Sequence, residues 1–194
     1  MKKAIFIVTI LFVAVISTAC INNIAVQELN NAAKSYMDKG DYTSAIDRLE
    51  SSLELDSTVY ETYYNLGVAY IESKQYQKAI DSLTKALELN SKYADTYYTL
   101  AVAQESFADS VTDLKQQTDG IVDLTDQKVK YSDGYKNLSD SDKEIMIQSY
   151  LTAITNYRKY SDIINSEQKT SEISAHISDM EKVLAKLGYS GSSY

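Results

Sequence analysis

The chain has 194 residues, 44% of them hydrophobic, enough for one ordinary domain with a substantial core. Its 27 acidic side chains outnumber 19 basic ones for a formal charge of −8, a balance that repels phosphate backbones and argues against DNA or RNA as partners. With no proline and only six glycines, a composition dominated by helix-forming residues meets few breakers.

Met1-Lys2-Lys3 opens onto an almost unbroken apolar run, Ala4 to Ile16, that ends in Ser17-Thr18-Ala19-Cys20. A helix needs about 20 apolar residues to cross a bilayer core, and this run is shorter. Export with removal of a signal peptide, residues 1–19, is therefore expected. The stretch Ser17-Thr18-Ala19-Cys20 resembles the lipobox of bacterial lipoproteins, in which a small residue precedes a cysteine that receives lipid and becomes the new N-terminus. Ser17 departs from the leucine usual in that motif, with Ile16 one place earlier. Cys20 is the sole cysteine, so no intrachain disulfide can form. A free thiol after cleavage, or an uncleaved anchor running into Ile21 to Val26, are the other outcomes. With lipid on Cys20 and a linker at 20–25, Ile21 to Ala25 span at most about 18 Å and hold the folded part near a membrane, exported and lipid-anchored on its extracytoplasmic side.

Sliding the sequence along itself by 34 residues places Tyr36 on Tyr70, Tyr42 on Tyr76, Ala45 on Ala79, Ile46 on Ile80, Leu49 on Leu83 and Leu53 on Leu87. The same shift carries Thr62, Tyr63, Tyr64, Leu66 and Val68 onto Thr96, Tyr97, Tyr98, Leu100 and Val102. Such a period of paired helices resembles the tetratricopeptide repeat (TPR) family. Repeats are expected at 26–59 and 60–93. In the second, Gly67 and Ala79 are small where two helices cross, and Tyr63, Leu66, Tyr70 and Leu83 fill the gaps. Ser57 and Ser91 stand where the family often has proline, and Thr58 with Glu61 has capping-box spacing.

Beyond Val102 a shift of 74 restores the register: Tyr76, Ala79, Ile80, Leu83 and Leu89 fall on Tyr150, Ala153, Ile154, Tyr157 and Ile163. A third repeat, 94–166, thus carries an insertion. Helical spacing in Phe107, Val111, Leu114, Ile121 and Leu124 predicts that it lengthens both helices of the pair. Ser132-Asp133-Gly134 reads as the turn, Ser141 with Glu144 as a capping box, and a polar loop is the alternative. A C-terminal helix at 167–188 has one apolar face, Ile173, Ile177, Met180, Val183, Leu184 and Leu187, ended by Gly188. It resembles the solvating end helix of a repeat array, followed by a frayed tail at 189–194. The expected fold class is all-α: about three TPR-type helix pairs, the third extended, plus a capping helix.

No catalytic constellation stands out. His176 is the only histidine, no second cysteine or histidine can share a metal, and neither a phosphate loop nor a nucleophile elbow is present. The expectation is a non-enzyme without cofactor or metal. Of the seventeen tyrosines, Tyr36, Tyr63, Tyr70, Tyr76, Tyr97, Tyr150 and Tyr157 fall where the repeat wants bulk, whereas Tyr64 and Tyr98 follow core tyrosines and are expected in the groove. The family resemblance implies a concave groove for a protein or peptide partner, lined by Asn30, Lys34, Asp38, Glu61, Tyr64, Val68, Glu72, Asp95, Tyr98, Val102 and Glu105. Lys34 and Asn65 match the carboxylate clamp of chaperone-type TPR domains, but Asp95 and Thr99 do not, so no clamp is expected. The function implied is a membrane-anchored adaptor or scaffold in an envelope, secretion or pilus-type assembly. Self-association through the insert, or binding of a small ligand, are the alternatives.

Overall fold

The computed structural model describes residues 22–118, 135 and 138–191. The signal peptide, Cys20, the apolar positions Ile121 and Leu124, the turn at Ser132 to Gly134 and the last three residues lie outside them. The described residues form seven helices and no strand: α1 at 22–37, α2 at Tyr42–Leu55, α3 at Tyr60–Glu72, α4 at Tyr76–Leu89, α5 at Ala94–Thr118, α6 at Asp140–Ile163 and α7 at Glu167–Lys186. Consecutive helices from α2 to α7 pack and α3 also touches α5, while α1 meets α2 through Ala33 and the Asn30–Ser52 hydrogen bond. The pairs α1/α2, α3/α4 and α5/α6 follow the repeat, and α7 closes the array. Residues 22–25 belong to α1 and not to a linker.

The turns explain how so few glycines suffice. At the end of α1, Gly40 adopts φ +74°, its N–H donates to the Met37 carbonyl, and the Asp41 N–H reaches back to Tyr36. The end of α7 repeats this with Gly188 at φ +86° and Tyr189 N–H on Leu184. Between α3 and α4 the same Schellman turn is made with Lys74 at φ +60°, a left-handed conformation in which a side chain is strained.

Helix starts differ from the sequence expectation at two places. Thr58 and Glu61 form no capping box: α3 has Val59 at its N-cap without a side-chain bond, and the Asp56 carboxylate takes both the Thr58 N–H (2.8 Å) and its hydroxyl (2.6 Å). An Asx-type turn two residues upstream thereby outcompetes the cap. Likewise Ser141 lies inside α6, whose cap is Ser139, accepting from Asp142 N–H at 3.1 Å and donating to the Asp142 carboxylate at 2.7 Å.

Two apolar clusters meet across α5. The first joins α1 to α5 through Ala33, Ala45, Leu49, Leu66, Ala69, Tyr70, Ala79, Leu83, Leu100 and Ala103. At the α3–α4 crossing a Cβ on Gly67 would stand 2.4 Å from Leu83 Cγ, so a hydrogen there is what lets the helices approach. The second cluster joins α5, α6 and α7 through Met146, Tyr150, Ala153, Tyr157, Tyr160, Ile173, Ile177 and Met180. The insertion does lengthen both helices of the third pair, to 25 and 24 residues against 13 or 14 in α2, α3 and α4. Tyr150 on α6 donates to Asp109 on α5 at 2.5 Å, pinning the extension. Tyr189 is half-buried against this cluster, so the expected frayed tail starts later than residue 189.

Candidate functional site

Where α5, α6 and α7 converge, an open cleft of about 490 Å³ is lined by Asp95, Tyr98, Tyr157, Tyr160, Lys169, Glu172, Ile173 and His176. Its position follows from the repeat. Tyr98 occupies on α5 the place of Tyr64 on α3, and Tyr160 on α6 stands where the preceding pair has the small Ala86. A large ring in that place meets Tyr98: the Tyr98 ring lies 5.2 Å from that of Tyr160 and 5.6 Å from that of Tyr157, centroid to centroid. Tyr157 and Tyr160 are buried, whereas Tyr98 keeps 43% of its surface exposed, an amphipathic ring held on its partners and open to solvent on the other side.

Behind the rings runs a polar network from three helices. The Tyr157 hydroxyl donates to Glu105 on α5 at 3.0 Å, and His176 Nε2 on α7 lies 2.9 Å from the same carboxylate oxygen, with its ring edge-on to Tyr157 at 5.3 Å. By accepting a hydrogen bond from His176 Nε2, Glu105 favours the imidazolium and raises the His176 pKa against the opposing effect of burial. Burial, reinforced by Glu105, drives the Tyr157 phenol upward, so it stays protonated. Among the described residues no group of three His, Cys, Asp or Glu side chains is placed to hold a metal ion, and no described helix is long and apolar enough to cross a membrane.

The residues expected to line the groove divide into three sets. Asp95 and Tyr98 sit in the cleft, and Lys34, Glu61 and Glu72 are exposed on α1 and α3. Tyr64 is half-buried, packed against the first cluster, edge-on to Tyr93 at 5.4 Å and 3.4 Å from the Thr99 hydroxyl. Val68 is also half-buried, and Val102 packs against the second cluster. Asn30 and Glu105 are spent internally. The Asn30 amide donates at 2.9 Å to Val26 O and to the hydroxyls of Ser52 and Thr62, both fully buried. It therefore stitches α1 to α2 and α3 rather than facing a partner, because two interior hydroxyls need a donor. In the next repeat Tyr64 and Ala86 replace Asn30 and Ser52, and Thr96, equivalent to Thr62, is buried with its hydroxyl unbonded.

Position-by-position transfer along the array missed Tyr157, Tyr160, Lys169, Glu172, Ile173 and His176. The available signal was Tyr160: a bulky ring in a small-residue place, which meets the ring of Tyr98.

Comparison with known proteins bears on the fold. The tetratricopeptide repeat model matches residues 60–93 and a second TPR repeat model matches residues 33–74, so TPR repeats are recognised in the first half of the chain. No curated protein matches the sequence. Among solved structures, the Arabidopsis OM64 TPR domain superposes with a TM-score of 0.57 at 13% identity, over 81% of this chain and 98% of that one. The first TPR domain of Spaghetti (RPAP3), bound to the HSP90 peptide SRMEEVD, gives 0.55 at 17% identity over 82% and 95%. The Yersinia enterocolitica type III secretion chaperone SycD, in complex with a peptide of the translocator YopD, gives 0.51 at 16% identity over 82% and 92%. At these identities the likeness is one of fold.

Proposed function

We propose that this protein is an adaptor tethered by lipid on Cys20 to the extracytoplasmic face of a membrane, where it holds an extended segment of another protein against its helix pairs. The observation that carries the reading is the cleft between α5, α6 and α7, whose wall includes a tyrosine left 43% exposed on two buried ones. Aromatic rings that are rigid, apolar and partly wet are what protein-binding surfaces use as anchors. SycD and RPAP3 carry peptides on the same architecture, and an envelope, secretion or pilus-type assembly is the setting that an exported, lipid-bearing N-terminus suits.

Affinity capture from membranes with the full chain and with Tyr98→Ala tests this. The partner should be lost from the variant while helical content is unchanged, and equal recovery by both would defeat the reading. Tyr64→Ala is a poorer probe, since that ring packs on the core. Lipidation is tested separately by labelling with an alkyne fatty acid, which should disappear in Cys20→Ala. Self-association through the extended α5–α6 pair is the alternative, favoured by Ile145, 41% exposed on α6. Light scattering that gives a dimer for the full chain and a monomer for Ile145→Lys would move the reading there.

A further inference from the structure

The cleft has a sign. Asp95 and Glu172 stand in its lining with a single ammonium, Lys169. Behind the ring cluster Glu105 is already shared between the Tyr157 hydroxyl and His176. Three carboxylates therefore face one lysine and one imidazole, leaving the site negative whether His176 is protonated or neutral. Among the described residues Asp95 and Glu172 form no ion pair, and Glu172 accepts only an amide N–H from Gln168. The rest of the chain reinforces the field, with its formal charge of −8.

The rings supply the second element. Elsewhere in this protein lysines already lie over tyrosine faces: Lys39 over Tyr36 at 5.9 Å, Lys78 over Tyr70 at 5.4 Å and Lys159 over Tyr97 at 5.7 Å. Tyr98 and Tyr160 carry no such cation among the described residues, yet they line a cleft bounded by carboxylates. We propose that this cleft takes the lysine or arginine side chain of an extended partner segment, laid on Tyr98 between Asp95 and Glu172. The inference rests on the adaptor reading and adds the chemistry of the residue read. A cation gains from the ring face and from the two carboxylates together, whereas an acidic residue meets repulsion that Lys169 alone does not offset. Ile173, buried in the cleft floor, suits the methylene stem of the same side chain.

The test uses the full chain in mild detergent against a bead-displayed octapeptide library with acetylated and amidated ends, so that terminal charges play no part. Selected peptides should share Lys or Arg at one position. Resynthesis of the best with citrulline there should weaken binding about five- to tenfold, the combined effect of an exposed cation–π contact and screened charge pairs. Asp95→Asn with Glu172→Gln should cause the charge-pair share of that loss for the arginine peptide and none for the citrulline one, and adding Tyr98→Leu should remove the rest of the preference. All three positions are exposed, so the variants should keep wild-type circular dichroism. Selected peptides without a shared basic position, or equal binding of the citrulline peptide, would overturn the cation site while leaving the adaptor reading intact. Selection of no sequence above bare beads would remove both.

Discussion

Gly67→Ala is the sharpest test of how the helices pair, because two opposing effects of known size act at one atom. Alanine is favoured over glycine inside a helix by about 1 kcal/mol, so an isolated α3 gains from the change. In the array the new Cβ would lie 2.4, 2.6 and 3.0 Å from Leu83 Cγ, Cδ2 and Cδ1, where carbon atoms prefer about 3.5–4.0 Å. Leu83 is fully buried on α4 and has nowhere to swing, so the helices must part at an overpacking cost of about 1–3 kcal/mol. Steric cost wins, and net destabilisation of about 1 kcal/mol, up to about 2, is expected. In a chain of this size that lowers the midpoint by about 2–8 °C. Urea unfolding followed by circular dichroism measures it. The double variant Gly67→Ala, Leu83→Ala should be more stable than the sum of its parts by about 0.5–3 kcal/mol, because the methyl then fills vacated space. A stabilised single variant, or strict additivity, would refute the close crossing.

Lys74→Gly should raise stability by up to about 1 kcal/mol in the same assay, since the turn holds Lys74 at φ +60° where the equivalent Gly40 sits without strain; a loss would mean that the side chain contributes more than its backbone costs. Thr96→Val should be neutral or stabilising by up to about 1 kcal/mol, its hydroxyl being buried without a partner among the described residues, whereas Thr62→Val should destabilise by about 1 kcal/mol because it removes one of the three acceptors gathered on the Asn30 amide; equal effects at both sites would contradict the geometry. As the only histidine, His176 can be titrated alone by NMR: its pKa should exceed the ordinary 6.5 and fall in Glu105→Gln. Because the folded value is the higher one, the pair's contribution to stability is full below about 6.5 and is lost as pH rises through the raised value. The wild-type midpoint should thus decline relative to Glu105→Gln as pH rises from about 6.5 through the raised value, and parallel curves would dismiss the contact.

Local pattern carried most of the fold. The 34-residue period, the small Gly67 and Ala79, and the 74-residue shift that restores Tyr150 and Ala153 all reflect contacts within one helix pair or between neighbours, so they recur along the chain. Asn30 misled because a groove position is defined by direction from the helix axis, while its amide answers to Ser52 and Thr62, hydroxyls that only the first repeat brings together. Capping at Thr58 and Ser141 misled because Asp56 and Ser139, two residues earlier in each case, reach backbone N–H groups first. The Glu105, Tyr157 and His176 network joins residues 52 and 71 apart in sequence, and nothing periodic announces it. For the same reason the sequence shows α7 as the capping helix it is but not that it supplies half of the cleft's lining.

The proposal that the cleft holds a partner is met most directly by a photo-activated cross-linker placed at Tyr98 in cells that make the protein, with a control at Glu54, exposed on α2, a helix that does not line the cleft. The account predicts a discrete adduct with one protein from position 98 and none from position 54. Adducts of equal yield from both, or from position 54 alone, would contradict it.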